Sequence, residues 1–298
     1  MLANLPRDDR KPIPPDGSGL LQAGTNTPTA NLTVGVIGRC RRRRANSTAS
    51  LRVQQRLAPI NPVVKSSPCH TKALQASAPN LAERLAAVRE RIARAAGKVG
   101  RDPGSLLLLA VTKVFPAAVI REAYALGLRE FGENYVQEFE EKAPDLRSLA
   151  GARFHLIGHL QSNKSKKAAE LFEVIQTVDS TKVARRLNET GRPLDVMLEV
   201  KLSGEQAKSG AAPEELPELI AGVRACPNLR LLGLMTMPPW SDDPENSREY
   251  FRRLCRLAEQ HGLPQLSMGM SHDLEVAIEE GATCVRVGTA LFGKRRKP

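Results

Sequence analysis

A lysine closes the first strongly apolar run of the chain, residues 106–113, which read LLLLAVTK. A period of two places Leu109 and Val111 on the same face as Lys113. A lysine above apolar side chains is partly desolvated, which favours the neutral amine. A neutral amine is the group that forms a Schiff base with an aldehyde. Lys113 is therefore a candidate nucleophile, although an ordinary surface lysine at a strand end also fits this feature.

The segments SMGMS and RVGTALFG carry groups suited to an anion. Gly288 allows a close backbone approach and Thr289 adds a hydroxyl, while SMGMS contributes Ser267 and Ser271. Arg286 shares a strand face with Gly288, and an inward arginine is costly unless it is paired, so it indicates a ligand contact. The pattern indicates a phosphate site; a tight turn with ordinary caps is the alternative.

Three other features resemble known sites without supporting one. His155 and His159 have the spacing of a helical zinc site, but they lie in a strand pattern, which separates them by about 13 Å. The segment GHLQSNKS has Asn163 in place of the second glycine of a nucleotide-phosphate loop. The five cysteines are scattered, without CxxC spacing. We therefore expect no metal site and no disulfide framework, and take a reducing compartment as the default.

The elements that must position these residues alternate along the chain. Asn80 and Glu83 have the spacing of a capping box, and apolar residues follow at helical intervals until Gly97. Strands are predicted at 106–113, 130–134, 154–160, 174–180, 194–200, 229–237, 266–271 and 284–290. Helices are predicted between them near 117–127, 135–142, 164–171, after Ser180, and near 213–224, 245–261 and 273–280.

Strict alternation of strands and helices indicates an α/β fold with a parallel sheet, and eight repeats predict a single (β/α)8 TIM barrel. An open doubly wound sheet is the alternative, but no G-x-G-x-x-G motif follows an early strand. In a parallel barrel the chemistry gathers at the carboxyl ends of the strands. The residues predicted there include Lys113, Asn134, His159, Asp179, Lys201, Met235, Ser271, Gly288 and Thr289.

The formal charge of +12 resides at the two ends of the chain. Residues 1–80 carry +9 and residues 294–298 carry +4, so the body is close to neutral. Residues 1–79 contain no aromatic side chain and are rich in arginine, serine and proline, which predicts a disordered basic extension. Such a composition is typical of a transit peptide; a flexible tail, a mis-set gene start and an RNA-binding arm are the alternatives. We predict a barrel domain over 80–293 and a basic tail after it.

Seven motifs, in this order and spacing, carry a family resemblance: AVTKVFP, FGENYVQE, HLIGHLQSNK, AKSG, GLMTMPP, SMGMSHD and VRVGTALFG. They resemble the pyridoxal phosphate homeostasis proteins, a family of PLP-binding proteins, over about residues 80–293. The resemblance implies a fold-type III PLP barrel like the amino-terminal domain of alanine racemase. It also implies pyridoxal 5′-phosphate (PLP) as the cofactor, and a role in vitamin B6 homeostasis without robust catalytic turnover.

The resemblance assigns roles in cofactor binding and no catalytic residue. It implies that Lys113 forms the Schiff base and that Arg286 faces the pyridine nitrogen of PLP. The remaining positions are the phosphate residues Ser267, Ser271, Gly288 and Thr289, and the residues near the ring, Asn134, His159 and Met235.

Three positions depart from the family pattern. Thr112 stands where serine is common, Lys201 where many members have asparagine, and His272 where a small or acidic residue is common. Lys201 could draw the phosphate or compete with Lys113.

The chemistry of the residues agrees with a carrier. A guanidinium only donates hydrogen bonds, so a pyridine nitrogen that faces Arg286 stays unprotonated and is a weaker electron sink. Racemisation also needs a second acid/base, which a carboxyl-terminal domain supplies in alanine racemases, whereas this sequence stops soon after Gly293. A weak PLP-dependent amino-acid racemase and an RNA-binding module acting through the basic termini are the alternatives.

We expect PLP and PLP-dependent client enzymes as partners, and neither nucleic acid nor a membrane. No apolar run approaches the roughly 18 residues of a membrane-spanning helix. With 4% aromatic residues, the chain has few anchors for a permanent interface, so we expect a monomer. The expected compartment is the cytoplasm, or a mitochondrion or plastid if residues 1–79 act as a transit peptide.

Overall fold

A computed structural model describes residues 79–204 and 209–293 of the 298-residue chain. The strands are β1 (Leu107–Val111), β2 (Glu130–Glu133), β3 (Arg153–Leu156), β4 (Val174–Val178), β5 (Leu194–Glu199), β6 (Leu229–Met235), β7 (Gln265–Met270) and β8 (Cys284–Val287). The helices are α1 (Leu81–Lys98), α2 (Ala117–Ala125), α3 (Val136–Leu146), α4 (Ser165–Leu171), α5 (Thr181–Asn188), α6 (Leu216–Arg224), α7 (Arg248–His261), α8 (Leu274–Glu279) and α9 (Thr289–Phe292). The predicted extension over 1–79, except Pro79, and the tail over 294–298 lie outside the described residues.

The eight strands pair in parallel in chain order, and β8 pairs with β1 to close the barrel. The predicted (β/α)8 barrel is therefore confirmed, and the doubly wound alternative is wrong. The register at the closing pair sets Leu109 opposite Arg286. This register brings the chain's first apolar strand next to the strand that carries the predicted ligand arginine.

Apolar side chains form two layers, one inside the barrel and one between the strands and the helices. The interior layer contains Leu109, Val111, Ile157 and Cys284, with Leu107 packed against them. The outer layer is the larger one and joins every strand to the helices that cover it. The alternation predicted for the first strand is therefore confirmed.

Helix α1 precedes the first strand and begins as the sequence predicts. The side chain of Asn80 accepts a hydrogen bond from the backbone N–H of Glu83 at 2.9 Å, and the Glu83 carboxylate accepts one from the Asn80 backbone at 3.0 Å. Leu85, Val88 and Ile92 bury one face of the helix. The capping box is confirmed.

Several predicted boundaries are wrong, including the carboxyl-terminal ends of β3, β8 and α3. Strand β8 ends at Val287 rather than at residue 290, because the chain leaves the extended conformation at Gly288 and enters α9. Strand β3 ends at Leu156 rather than at residue 160. Helix α3 continues past residue 142 to Leu146 with Pro144 inside it; a proline this close to the end removes only one intrahelical hydrogen bond.

Gly158, in the turn after β3, allows two segments of backbone to touch. A Cβ at this position would lie 2.1 Å from the backbone oxygen of Asn134, at the end of β2. The Gly158 carbonyl oxygen also accepts a hydrogen bond from Thr177 at 2.7 Å. The turn therefore cannot retreat freely, and the position of Asn134 depends on this glycine.

We predict that Gly158→Ala lowers the free energy of unfolding by about 1–3 kcal/mol, because the new methyl group forces the backbone apart. Gly97→Ala is the matched control: it lies in α1 with no atom within 4 Å of the added carbon, and should raise stability by about 0.5 kcal/mol. Urea unfolding of both variants measures the difference. Equal effects would show that the close approach does not constrain the turn.

Candidate functional site

Six of the nine predicted site residues line one cavity at the carboxyl-terminal mouth of the barrel. The cavity measures about 210 Å³. A larger groove of about 660 Å³, beside α4 and α5, contains none of the predicted residues. The predicted residues that line the mouth cavity are Lys113, Asn134, Ser271, Arg286, Gly288 and Thr289.

Lys113 lies two residues after the end of β1 and shares the cavity with Val111 and Ile157 of the interior apolar layer. The next residue, Val114, has a φ of 64°, which is rare and costly for a β-branched side chain. Its backbone N–H donates to the carboxylate of Glu138 at 2.6 Å, and the N–H of Phe115 donates to the carbonyl of Thr112 at 3.0 Å. The turn that carries Lys113 is therefore held in a strained conformation from both sides.

A buried charge cluster supports this turn from below. Glu133, fully buried at the end of β2, accepts a hydrogen bond from the Thr112 hydroxyl at 2.7 Å and from Lys142 Nζ at 3.1 Å. Lys142 Nζ also lies 2.6 Å from Glu138. Burial raises the pKa of Glu133, and the Lys142 charge opposes that shift. The hydroxyl of Thr112 therefore links the turn that carries Lys113 to the buried carboxylate of Glu133.

Arg286 crosses the floor of the cavity, where its side chain is 3% exposed. One guanidinium nitrogen donates to the hydroxyl of Ser267 at 2.7 Å and another to the carbonyl of Thr236 at 2.9 Å. Burial lowers the pKa of Arg286, while the carboxylates of Asp273 and Glu199 act in the opposite direction. The guanidinium is therefore pre-positioned, with N–H groups remaining for a ligand.

Three of the nine predicted residues, Ser267, Met235 and His159, do not line the cavity. Ser267 is fully buried beneath Arg286, where its hydroxyl donates to Gln176 at 2.6 Å and accepts from the guanidinium. The structure therefore does not place Ser267 with the other phosphate residues. Met235 is also fully buried, and Met237, two residues later, lines the cavity instead. Sequence pattern gives the face of a strand but not the height of a residue along the barrel.

Backbone N–H groups converge on Ser271 in the mouth. The Ser271 hydroxyl accepts hydrogen bonds from the N–H groups of Gly288 and Ala290, both at 3.2 Å. The Ser271 carbonyl accepts from Arg91 at 3.0 Å, and Arg91 is held by both carboxylate oxygens of Glu275 at 2.6 and 2.7 Å. Helix α1 therefore fixes a cluster of donors that suits a phosphate, and the role of Arg91 was not predicted.

Asn134 carries an unsatisfied acceptor. Its side-chain oxygen is buried and has no hydrogen-bond partner among the described residues. An unpaired buried amide oxygen is costly, so a ligand with a donor group would complete it. This oxygen and the donor cluster at Ser271 belong to the same cavity as Lys113.

His159 lies in an adjoining cavity of about 620 Å³, which shares Met237, Trp240 and Met270 with the first. His159 Nδ1 lies 3.4 Å from the carboxylate of Asp179. Lys201 lines this second cavity and not the one that contains Lys113.

Glu199 lies in the wall of the second cavity and was not predicted. It is 4% exposed, and one carboxylate oxygen has no partner among the described residues. Burial, reinforced by the charge of Asp179, raises the pKa of Glu199 to about 7.

Trp240 and His272 form the outer wall between the two cavities, with ring centroids 4.9 Å apart. The His272 ring nitrogen Nε2 lies 3.0 Å from the carbonyl oxygen of Asp242. His272, which departs from the family pattern, therefore packs against Trp240, a residue that is 70% exposed. A lone tryptophan gives no sequence signal for such a wall.

Among residues 79–204 and 209–293, no group of three or more His, Cys, Asp or Glu side chains could hold a metal ion. Both ring nitrogens of His155 have protein partners, Glu130 and Gln176. No helix in the same part of the chain combines the length and apolar character needed to cross a membrane.

Comparison with known proteins decides the family. The family model described as "Alanine racemase, N-terminal domain" matches residues 84–296. A pyridoxal phosphate homeostasis protein of Pseudomonas aeruginosa is 50% identical over 221 residues, covering 72% of this chain and 96% of the relative. The chain belongs to the pyridoxal phosphate homeostasis protein family. The member from Aquifex aeolicus is 44% identical over 227 residues, covering 73% of this chain and 99% of the relative.

Solved structures agree with membership of the pyridoxal phosphate homeostasis protein family. PipY of Synechococcus elongatus PCC7942, solved with PLP bound, is 40% identical with a TM-score of 0.63, covering 72% of this chain and 100% of that one. An alanine racemase of Bacillus anthracis is 16% identical with a TM-score of 0.54, covering 72% and 57%. The second likeness shows a shared fold alone. The family predicted from the seven motifs is confirmed.

We predict that Lys142→Met lowers the free energy of unfolding by about 3 kcal/mol, because it leaves the Glu133 carboxylate buried without its cation. Lys167→Met is the matched control: it removes an ion pair on the same side of the barrel whose lysine side chain is 43% exposed, and should change stability little. Chemical unfolding of both variants measures the effect. Similar losses in the two variants would contradict a supporting role for the buried cluster.

Glu199 makes the free energy of unfolding fall as the pH rises. The pKa of Glu199 is about 7 in the folded protein and 4.5 in its ordinary range, so the unfolded state releases this proton more readily and stability falls as pH rises from about 4.5 to 7. Glu199→Gln should therefore stabilise the cofactor-free protein by about 2 kcal/mol more at pH 8 than at pH 5. Denaturant unfolding at both pH values, with the exposed Glu90→Gln as control, measures this. A stabilisation independent of pH would contradict the assignment.

Proposed function

We propose that this protein holds PLP as a Schiff base on Lys113 and contributes to intracellular PLP homeostasis without robust catalytic turnover. One observation carries the proposal: a lysine, a buried arginine and a cluster of backbone donors line a single cavity of about 210 Å³. The names of the relatives, and the PLP bound to PipY, support the choice of cofactor.

The residues present fit PLP. The N–H groups of Gly288 and Ala290 and the hydroxyl of Ser271 suit a phosphate, and Thr289 lies beside them. The buried oxygen of Asn134 lacks a donor that a ligand hydroxyl can supply. Asn134, Ser271 and the pair Gly288–Thr289 follow three different strands, so their meeting in one cavity depends on the folded barrel.

Bound PLP supplies an aldehyde that condenses with an amine to form a Schiff base. Lys113 lines the cavity together with the apolar side chains of Val111 and Ile157. The strained turn at Val114 restricts where that amine can point.

Arg286 favours holding the cofactor over using it. A guanidinium donates hydrogen bonds and does not release its proton in proteins, so it pairs with an unprotonated pyridine nitrogen. A neutral pyridine withdraws electrons weakly, which disfavours carbanion chemistry on the cofactor. The same site with a protonated ring would suit an enzyme better.

We infer that PLP-dependent client enzymes receive the cofactor and that the protein acts as a monomer. The opening of the cavity beside Met237 and Trp240, both exposed, gives a ligand a direct route to the surface. Weak amino-acid racemisation at the same lysine is the alternative. We retain it because the barrel shares its fold with an alanine racemase.

We predict that the purified protein turns yellow with added PLP, through a visible absorption band, and that Lys113→Ala abolishes this band. Lys201→Asn is the matched control, since Lys201 lines only the adjoining cavity, and should leave the band and the PLP affinity unchanged. Absorption spectra during PLP titration measure both.

A band retained in Lys113→Ala would overturn the assignment of the Schiff base to Lys113. A band lost in Lys201→Asn would show that the second lysine takes part. If the loaded protein interconverts L- and D-alanine with Lys113-dependent turnover in a chiral assay, the racemase alternative replaces the carrier function.

A further inference from the structure

A line of hydrogen bonds continues from the site through the interior of the barrel. Arg286 on β8 donates to the hydroxyl of Ser267 on β7 at 2.7 Å. That hydroxyl donates to the side-chain oxygen of Gln176 on β4 at 2.6 Å. The nitrogen of the Gln176 amide meets Nδ1 of His155 on β3 at 2.9 Å, and His155 Nε2 meets Glu130 on β2.

The orientation of the Gln176 amide sets the direction of the bonds in this line. An amide nitrogen only donates, so His155 Nδ1 must accept and Nε2 must carry the proton that goes to the Glu130 carboxylate. The same orientation turns the Gln176 oxygen towards Ser267. The Ser267 proton is then committed to Gln176, and its lone pairs remain for Arg286.

The side chains of this line are buried except at its far end. Ser267, Gln176 and His155 are exposed by 0%, 1% and 4%, whereas the Glu130 side chain is 21% exposed. Cys284 contacts Ser267 and Gln176, and burial raises the pKa of its thiol to about 11, so it adds no charge. A separate cavity of about 250 Å³ borders both Gln176 and His155.

We propose that Gln176 and His155 are positioning residues that hold the Arg286 guanidinium against the cofactor through Ser267. Neither touches the cavity. If the amide of Gln176 turned over, the Ser267 hydroxyl would lose the acceptor for its proton and would have to accept from both Gln176 and Arg286. His155 disfavours this turn, because its Nδ1 would lose the amide nitrogen that it meets in the present orientation.

This inference rests on the proposed function, since it assumes that Arg286 meets the pyridine nitrogen of PLP. Its consequence is that side chains remote from the cavity set how well that nitrogen is kept unprotonated. The expected effects are therefore on PLP affinity and on the state of the ring nitrogen, not on formation of the Schiff base.

The test uses the full chain loaded with ¹⁵N-labelled PLP. Gln176→Met keeps the length of the side chain and removes both hydrogen bonds, and should weaken PLP binding about fivefold, the value of one hydrogen bond. Gln176→Glu keeps an acceptor for Ser267 and loses only the donor to His155, so it should weaken PLP binding less than Gln176→Met does. The ¹⁵N shift of the pyridine nitrogen should move less in Gln176→Glu than in Gln176→Met.

A double-variant comparison separates positioning from packing. Ser267→Ala removes the intermediary, so adding Gln176→Met to it should weaken binding no further. Met197→Leu, a buried change beside the line, is the packing control and should leave the ¹⁵N shift unchanged. If Gln176→Met does not fold, Ser267→Ala and Gln176→Glu still give the same comparison against Met197→Leu.

Additive losses in the double variant would overturn the inference. A Gln176→Met protein whose PLP affinity and ¹⁵N shift equal those of the wild type would also overturn it. So would a Met197→Leu protein whose ¹⁵N shift moves as far from the wild-type value as that of Gln176→Glu, because packing would then explain both changes. A wild-type protein that fails to bind PLP would contradict the proposed function instead, so the two failures are distinguishable.

Discussion

A guanidinium buried at the centre of a parallel barrel is the constraint on which the site depends. Removing such a charge from water is costly unless its N–H groups find acceptors, and Arg286 finds them in Ser267 and the Thr236 carbonyl. Further positions inside the barrel must therefore be polar, although apolar side chains would otherwise be expected there. Arg286 also lines the cavity, where a ligand could accept from its other N–H groups.

The lysine depends on a second set of buried charges. Glu133 and Lys142 lie below the turn after β1 and connect it to α3, while Glu138 holds the strained backbone at Val114. The arginine and the lysine are thus fixed by separate networks, although they lie on or after the neighbouring strands β8 and β1. A rigid frame of this kind suits a protein that keeps a cofactor in one orientation, because little entropy is lost when the ligand binds.

Much of this could be predicted from the sequence because its signals are local. Apolar runs alternating with helices predict the barrel, and the ends of those runs predict Lys113, Ser271 and Gly288. Other features depend on height along the barrel axis or on contacts distant in sequence, which no local pattern encodes. Ser267 has the spacing that should place it beside Ser271, but it is fully buried below the cavity. The role of Lys142 depends on its contact with the buried carboxylate of Glu133, which no local pattern shows.

The most direct test of a Schiff base on Lys113 is reduction of the PLP-loaded protein with borohydride, followed by peptide mapping. Reduction makes a Schiff base permanent, so the modified lysine can be located by mass. A pyridoxyl group is expected on the peptide that contains Lys113 and on none that contains Lys142 or Lys201. A pyridoxyl group on another lysine, or on none, would contradict a Schiff base at Lys113.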